Sequence, residues 1–407
     1  MKKTAKSLAL LLSACCLFGS PAFAADAGPV KIGVLTDMSS VYSDASGRGS
    51  VEAARLAVED AGDVLGQRVE LVAADHQHKA DVGSAIARRW FDVDGVDMIT
   101  DVPNSAVGFA VSGIAAQAKK PALLVGSLSA DLTGTKCEPF TAVWAIDTYS
   151  QAQVLGTALV QAGGNSWFFL GADYTFGRNL AQDASKVVKA NGGAVLGSVF
   201  APLGTADFSS FLLKAQQSGA KIIGLANAAA DTANALKQAD EFGIRDGGQK
   251  IATFVIFIQD VKGLGLKAAQ GLLLASPYYW DLDEPSRAFA KRFAERMGRP
   301  PTWGQAGVYS AVAHYLKAVK TVGVKDGTQV MAKMRELPVN DFMTRDGHLR
   351  ADGRLLRDMH LFEVKAPSQS KGEWDLYKLV KTVPGDQAFR SMAEGGCPFV
   401  TTTATGR

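Results

Sequence analysis

From residue 30 onward, short apolar runs alternate with amphipathic stretches of helical period, and this alternation restricts the fold more than any single motif. Val30 to Thr36 (VKIGVLT) reads as a strand, and residues 48 to 62 (RGSVEAARLAVEDAG) read as a helix that stops at Gly62. Val69 to Ala74 and Ala80 to Phe91 repeat the unit, as do Val96 to Val102 and Ala106 to Ala118. Pro121 then opens a strand from Ala122 to Gly126. A strand that must be followed by a helix before the next strand can pair only in parallel, in a sheet covered on both faces. Periodicity lapses over 127 to 150 and restarts with strand Trp167 to Gly171, helix 177 to 191 and strand Ala194 to Phe200. Helix 207 to 218, strand Lys221 to Ala226, helix 231 to 242 and strand Ile251 to Phe257 follow. The expected fold class is therefore α/β, with two doubly wound parallel-sheet lobes. A chain of 407 residues also exceeds what one core usually holds.

The N-terminus carries a second kind of information. Lys2, Lys3 and Lys6 precede an apolar run from Leu8, and Ala22-Phe23-Ala24 offers small residues before a cut at Ala25. This is the layout of a secretory signal over residues 1 to 24, too short and too interrupted to span a bilayer. Leu12-Ser13-Ala14-Cys15 has the form of a lipoprotein box, but cleavage there would leave an apolar mature start from Cys16 to Ala24. The expected location is the periplasm. Removing the leader takes away three lysines and no acid, so a formal charge of +3 falls to 0. A neutral chain is a poor partner for nucleic acid or an anionic membrane. Cys137 and Cys397 remain, and an even pair in an oxidising compartment is expected to form a disulfide.

In parallel α/β sheets, ligands sit beyond the C-terminal ends of the strands, where helix N-termini present free N–H groups. The residues just after each strand are therefore the candidates. Ser39, Ser40 and Tyr42 follow the first strand; Asn104 and Ser105 follow Val102; Ser127 and Ser129 follow Gly126. In the second unit these are Asp173, Tyr174 and Phe176, then Asn227, then Phe257 and Gln259. Hydroxyls, amides and rings with little charge suit binding of a small, partly apolar anion better than covalent or acid–base chemistry. Any one of them serves equally well as a helix cap.

Catalytic motifs are scarce: the sequence holds no Gly-x-Ser-x-Gly elbow, phosphate loop or His-Glu-x-x-His. His76 and His78 flank Gln77 beside Asp75, but a zinc site wants a further ligand and a water position. Neither an enzyme nor a metal or cofactor site is expected.

Together these features resemble the type I periplasmic binding proteins of ABC importers, in the leucine/isoleucine/valine-binding branch. The resemblance spans nearly the whole mature chain. It is carried by VKIGVLTDMSSVYSDASG (30 to 47), DVPNSAVGFAV (101 to 111), LLVGSLSADLTG (123 to 134), GADYTFGRNLAQD (171 to 183), LKQADEFGI (236 to 244) and AQGLLLASPYYWD (269 to 281). It implies two lobes joined by three crossing segments, near 141 to 149, 275 to 281 and 345 to 357. The first lobe would comprise 30–145 and 278–347, the second 146–277 and 348–383, with a tail over 384–407. It also implies a small-molecule ligand, permease subunits as partners, a monomer, and closure over the ligand by hinge motion. Ser105, Ser127 and Ser129 stand where the family holds a ligand carboxylate, Tyr42 where it closes the cleft, and Tyr174, Phe176 and Asn227 where the second lobe contributes.

One departure bears on the ligand. Amino-acid binders of this branch place an acid after the last second-lobe strand to hold the α-ammonium. Here that stretch reads Ile256-Phe257-Ile258-Gln259, and the first acid is Asp260. An ammonium left unpaired in a closed cleft is costly. The expected ligand is thus an aromatic or other hydrophobic carboxylate. The alternatives are a branched-chain or aromatic amino acid, with Asp173 as its ammonium partner, a sensing role for the same fold, and a periplasmic hydrolase.

Overall fold

The computed structural model describes residues 28–400. The expected cut before Ala25 and the alternative at Cys15 lie outside the described residues. Five strands form the first sheet: β1 (Lys31–Thr36), β2 (Glu70–Asp75), β3 (Met98–Asp101), β4 (Ala122–Leu124) and β5 (Thr141–Val143). They are all parallel, in the order β2-β1-β3-β4-β5. Four more form the second: β6 (Ser166–Ala172), β7 (Ala194–Ala201), β8 (Ile222–Ala228) and β9 (Lys250–Val255), parallel in the order β7-β6-β8-β9. In each sheet the winding reverses beside the first strand, between β1 and β3 and between β6 and β8. A crevice opens at such switch points because the flanking helices leave on opposite faces.

The strands are apolar because both faces are covered. Val30, Ile32, Val34 and Leu35 are fully buried, and every residue of β8 is buried. Gly33 interrupts β1 because the Trp90 ring lies against it; an added Cβ would come within 2.5 Å of that ring. The three-residue strand β5 falls in the stretch without periodicity. It is too short to show any, and its register, Ala122 opposite Thr141, is set by β4.

The chain visits each sheet more than once. After β10 (Leu273–Ser276), helices Glu284–Met297 and Trp303–Val322 pack back on helix Gly47–Ala61 of the first sheet. A small hairpin of β11 (His348–Leu349) and β12 (Leu355–Leu356) follows, and then β13 (Met359–Val364) and β14 (Tyr377–Val383). The antiparallel order β10-β13-β14 places this last sheet against β9. Arg354, fully buried, joins two of the passages by donating from Nη2 to Ala145 O at 3.0 Å and by facing Asp147 at 3.5 Å.

Cys137 and Cys397 are bonded, with Cα atoms 5.6 Å apart. The tail is held by more than this link. Arg390 donates to Ala130 O at 2.9 Å, Arg350 donates to Arg390 O at 2.8 Å, and the Arg354 guanidinium lies 4.4 Å from the Phe389 ring centroid. No helix among the described residues is long and apolar enough to cross a membrane.

Candidate functional site

The C-terminal ends of the two parallel sheets face one another across a narrow cleft. The first lobe supplies Tyr42, Ala45 and Ser46 after β1, Asp101, Pro103 and Ser105 at the end of β3, and Gly126 and Leu128 after β4. Trp303 and Gly304, at the start of their helix, complete that wall. The second lobe supplies Tyr174 and Phe176 after β6, Ala228 at the end of β8, and Val255 and Phe257 at the end of β9. The walls meet twice. Tyr42 Oη lies 2.8 Å from Tyr174 Oη, and the Phe257 ring stacks on Trp303 with centroids 5.0 Å apart and planes 17° from parallel. Ser129 Oγ adds a third bridge, donating to Asn179 Oδ1 at 3.0 Å. The lobes are therefore closed on each other.

Tyr42 is positioned by a network beneath it. Asp37, fully buried, accepts from Tyr42 N at 2.8 Å, from Ser40 N and Oγ at 2.9 Å, and from His78 Nε2 at 2.8 Å. Burial alone would push the Asp37 carboxyl up, but His78 and these hydrogen bonds outweigh it and hold the group well below the usual carboxylate range. Asn104 Oδ1 caps helix Ser105–Ala118 by accepting from Ala106 N and Val107 N at 2.9 and 3.1 Å. Its Nδ2 is thus the atom that faces His78 Nδ1 at 2.9 Å. An amide donor there leaves Nδ1 as acceptor and puts the imidazole proton on Nε2, towards Asp37. The Tyr42 ring then packs edge-on against His78 with centroids 4.8 Å apart. Burial raises both cavity tyrosines above the ordinary phenol value, so both keep their protons.

Five of the residues expected at the site line the cavity: Tyr42, Ser105, Tyr174, Phe176 and Phe257. Ser105 Oγ accepts from Leu128 N and Ser129 N at 3.2 and 3.1 Å, so it ties the β3 loop to the β4 loop and keeps its own proton free to donate. The other five do not line it, each because a local partner claims it. Asn104 is the helix cap just described. Ser127 donates to Val102 O at 2.5 Å and Asn104 O at 3.1 Å, packed under Gly108, where a Cβ would come within 2.3 Å of its hydroxyl. Ser129 is spent on Asn179. Asn227 Oδ1 accepts from Thr232 Oγ1 at 2.7 Å. Asp173 is exposed and ion-paired with Arg178, whose Nε lies 2.9 Å from its Oδ1.

The sequence reading missed Trp303, Ser46 and Asp101. Trp303 arrives from a helix far along the chain, with no local signal. Asp101 ends β3 and falls inside the expected strand Val96 to Val102, not in the loop after it. It is 1% exposed, and burial pushes its carboxyl up to about 6. Asp101 thus lines the cavity from the first lobe while its carboxylate oxygens are buried beside Thr36 and Ser50. Asp260, the nearest acid after Phe257, is half-buried and accepts from Phe257 N at 2.9 Å; desolvation pushes it up to about 7, and it caps its own helix outside the cavity.

Residues 29–373 match the family model described as periplasmic binding protein. A crystal structure of a periplasmic binding protein from Burkholderia mallei is 46% identical, with a TM-score of 0.90 over 91% of this chain and 99% of that one. A branched-chain amino acid ABC transporter periplasmic ligand-binding protein from Burkholderia xenovorans LB400 is 42% identical, with a TM-score of 0.81 over 91% and 99%. The fold is also that of a solute-binding protein of an ABC transporter from Rhodopseudomonas palustris HaA2, in complex with p-hydroxybenzoic acid, at 21% identity and a TM-score of 0.80 over 88% and 98%. No curated protein sequence matches the chain.

Proposed function

Because this chain belongs to the type I periplasmic binding proteins, the solute-binding components of ABC transporters, we propose that it captures a small ligand with a flat, apolar body between its lobes and delivers it to the membrane permease. The observation that carries this reading is the cleft between the lobes, with Phe257 stacked on Trp303 and Tyr42 bonded to Tyr174 across it. Enclosing a ring between such faces removes on the order of 100 Å² of apolar surface from water, about 2–3 kcal/mol of binding. Ser105, with a free hydroxyl proton at the start of helix Ser105–Ala118, supplies a polar end for a ligand carboxylate. The p-hydroxybenzoic acid held by the Rhodopseudomonas protein is a ligand of this form. The absence of an acid between Ile256 and Gln259 points the same way.

A second reading, an amino acid, is favoured by the 42% identical Burkholderia xenovorans relative, a branched-chain amino acid ABC transporter periplasmic ligand-binding protein. A thermal-shift panel of benzoate, a hydroxycinnamate, phenylalanine and leucine tests the apolar-body reading. A ligand at about 100 times its Kd adds about 2.7 kcal/mol of stability. A ring-bearing compound is expected to give the largest rise in Tm. If leucine raises Tm more than every ring-bearing compound, the reading is wrong.

A further inference from the structure

The tail after β14 is fitted against one turn of the first lobe, the 3-10 turn Ala130–Thr133 that follows β4. Arg390 Nη2 donates to Ala130 O at 2.9 Å, and Cys397 is bonded to Cys137 just beyond the turn. Gly134 lies so close beneath the tail that an added Cβ would come within 2.3 Å of Arg390 Nη2 and 2.9 Å of Gly395 O. On its other side the tail meets the β11–β12 hairpin. Arg350 Nη1 donates to Arg390 O at 2.8 Å, while its Nε donates to the buried Asp352 at 3.0 Å. Gly353 O of the same hairpin accepts from Val143 N of β5 at 2.8 Å. Arg390 is therefore held from both sides, its carbonyl by the hairpin and its guanidinium by the turn.

The same turn has two further faces. Towards the cleft, Leu128 N and Ser129 N donate to Ser105 Oγ, and Leu128 and Ser105 line the wall. Towards the second lobe, it receives Asn179. The Asn179 Oδ1 accepts from Ser129 Oγ at 3.0 Å and its Nδ2 donates to Asp131 Oδ2 at 3.4 Å. Both ends of the carboxamide are engaged, so it seats only while Ser129 and Asp131 keep their spacing. Asn179 stands one helical turn after Phe176 on helix Thr175–Ala190 and shares its face, and Phe176 lines the cleft. A second link reaches that helix through Thr148, whose Oγ1 accepts from Ala130 N at 3.1 Å and donates to Asp183 Oδ2 at 2.7 Å. One turn thus joins the tail, the ligand wall and the second-lobe helix, and Arg390 itself does not line the cleft.

We propose that the C-terminal tail is a closure strap for the cleft and that Arg390 is its positioning residue: by fixing the turn Ala130–Thr133 it holds the seat that Asn179 of the second lobe enters when the lobes shut on a solute. This rests on the reading of the cleft as a site that closes on a solute, and adds what sets the strength of closure. Hinged lobes keep a ligand for as long as the shut form outlasts the open one, so a contact between the lobes slows release without touching the ligand. The Asn179 bridge is such a contact, because its partners lie on opposite lobes. Without the Arg390 guanidinium the turn is free to shift away from Asn179, while the Cys137–Cys397 bond still keeps the tail attached.

Arg390→Met keeps the apolar stem and removes the donors. Calorimetric titration of p-hydroxybenzoate into the mature protein is expected to show about fivefold weaker binding for this variant. Asn179→Ala should lose about fivefold as well, and the double variant no more than either single one, since both act on one bridge. Wild-type affinity in Arg390→Met, whatever its Tm, overturns the proposal, and so do losses that add in the double variant. If p-hydroxybenzoate does not bind the wild type, the failure falls on the proposed ligand, and small-angle X-ray scattering without ligand decides for the strap. The radius of gyration of Arg390→Met should then rise to that of Asn179→Ala, because the lobes part more freely in both. A radius in Arg390→Met unchanged from the wild type overturns the proposal.

Discussion

The two walls of the cleft are built from opposite materials. The first-lobe wall is a hydrogen-bonded lattice: Asp37 gathers Ser40, Tyr42 and His78, Asn104 links His78 to a helix, and Ser105 joins the β3 and β4 loops. The second-lobe wall is mostly rings and small apolar groups, Tyr174, Phe176, Ala228, Val255 and Phe257. The difference assigns separate tasks. Directional bonds fix a polar group to within tenths of an ångström and suit the lobe that orients the ligand. Apolar faces are non-directional and suit the lobe that must swing in and exclude water. The lattice is also cross-linked. The tail and Cys397 anchor the loop after β4 through Cys137 and Arg390, whereas the described residues give the second lobe no covalent tie.

Four experiments break or sharpen this contrast, taken from the largest expected effect down. Removing the cross-link with Cys137→Ser and Cys397→Ser should cost up to about 5 kcal/mol for a loop of 260 residues in the chain-entropy account. Urea denaturation measures it, and an unchanged midpoint would mean that the tail adds nothing to the first lobe.

Asp37→Asn attacks the centre of the lattice and should cost about 3 kcal/mol at pH 7, because His78 and the Tyr42 amide lose a charged acceptor. The native Asp37 carboxyl lies below its unfolded value. Its contribution is therefore present above about pH 4 and lost as pH falls towards its folded value. The wild-type Tm should drop more steeply than that of the variant between pH 4 and pH 2; parallel curves would remove Asp37 from this role.

At the meeting of the walls, Tyr42→Phe and Tyr174→Phe each delete the 2.8 Å bridge and should weaken closure by about 1 kcal/mol, near fivefold in ligand affinity. The double variant should lose little more than either single one, since both remove the same contact. Additive losses would show that each hydroxyl acts separately on the ligand. Asp173→Asn should change affinity and stability by less than about 0.5 kcal/mol, because its ion pair with Arg178 is exposed. A larger loss of ligand affinity would return Asp173 to the site.

How far the sequence reaches can be judged from β1 and β3. The run VKIGVLT declares a buried parallel strand because an apolar stretch of that length next to a helical period has one stable partner arrangement. The same logic gives both sheets, the switch-point crevices and the aromatic character of Tyr174, Phe176 and Phe257. With the expected leader and its two cysteines removed, it also leaves Cys137 with Cys397 as its partner in an oxidising compartment. At the end of β3 the same reasoning stops. Asp101, Asn104 and Ser105 lie within five residues, and composition cannot tell a cap from a ligand group. The answer lies in φ values of +77° and +53° at Asp101 and Val102, which bring Asp101 into the cavity wall, while Asn104 is claimed by its own helix.

What the sequence by itself determined is the set of elements and the edge of each sheet where the cavity opens, since periodicity and parallel pairing are local or one-dimensional properties. What the tertiary structure alone decided is which side chains share the cavity. Trp303 reaches Phe257 from the opposite lobe, and Ser127 and Ser129 turn away to Val102 and Asn179. Side-chain direction in a loop depends on which distant donor or acceptor claims each polar group first, and that competition is settled only when both lobes are folded and facing each other.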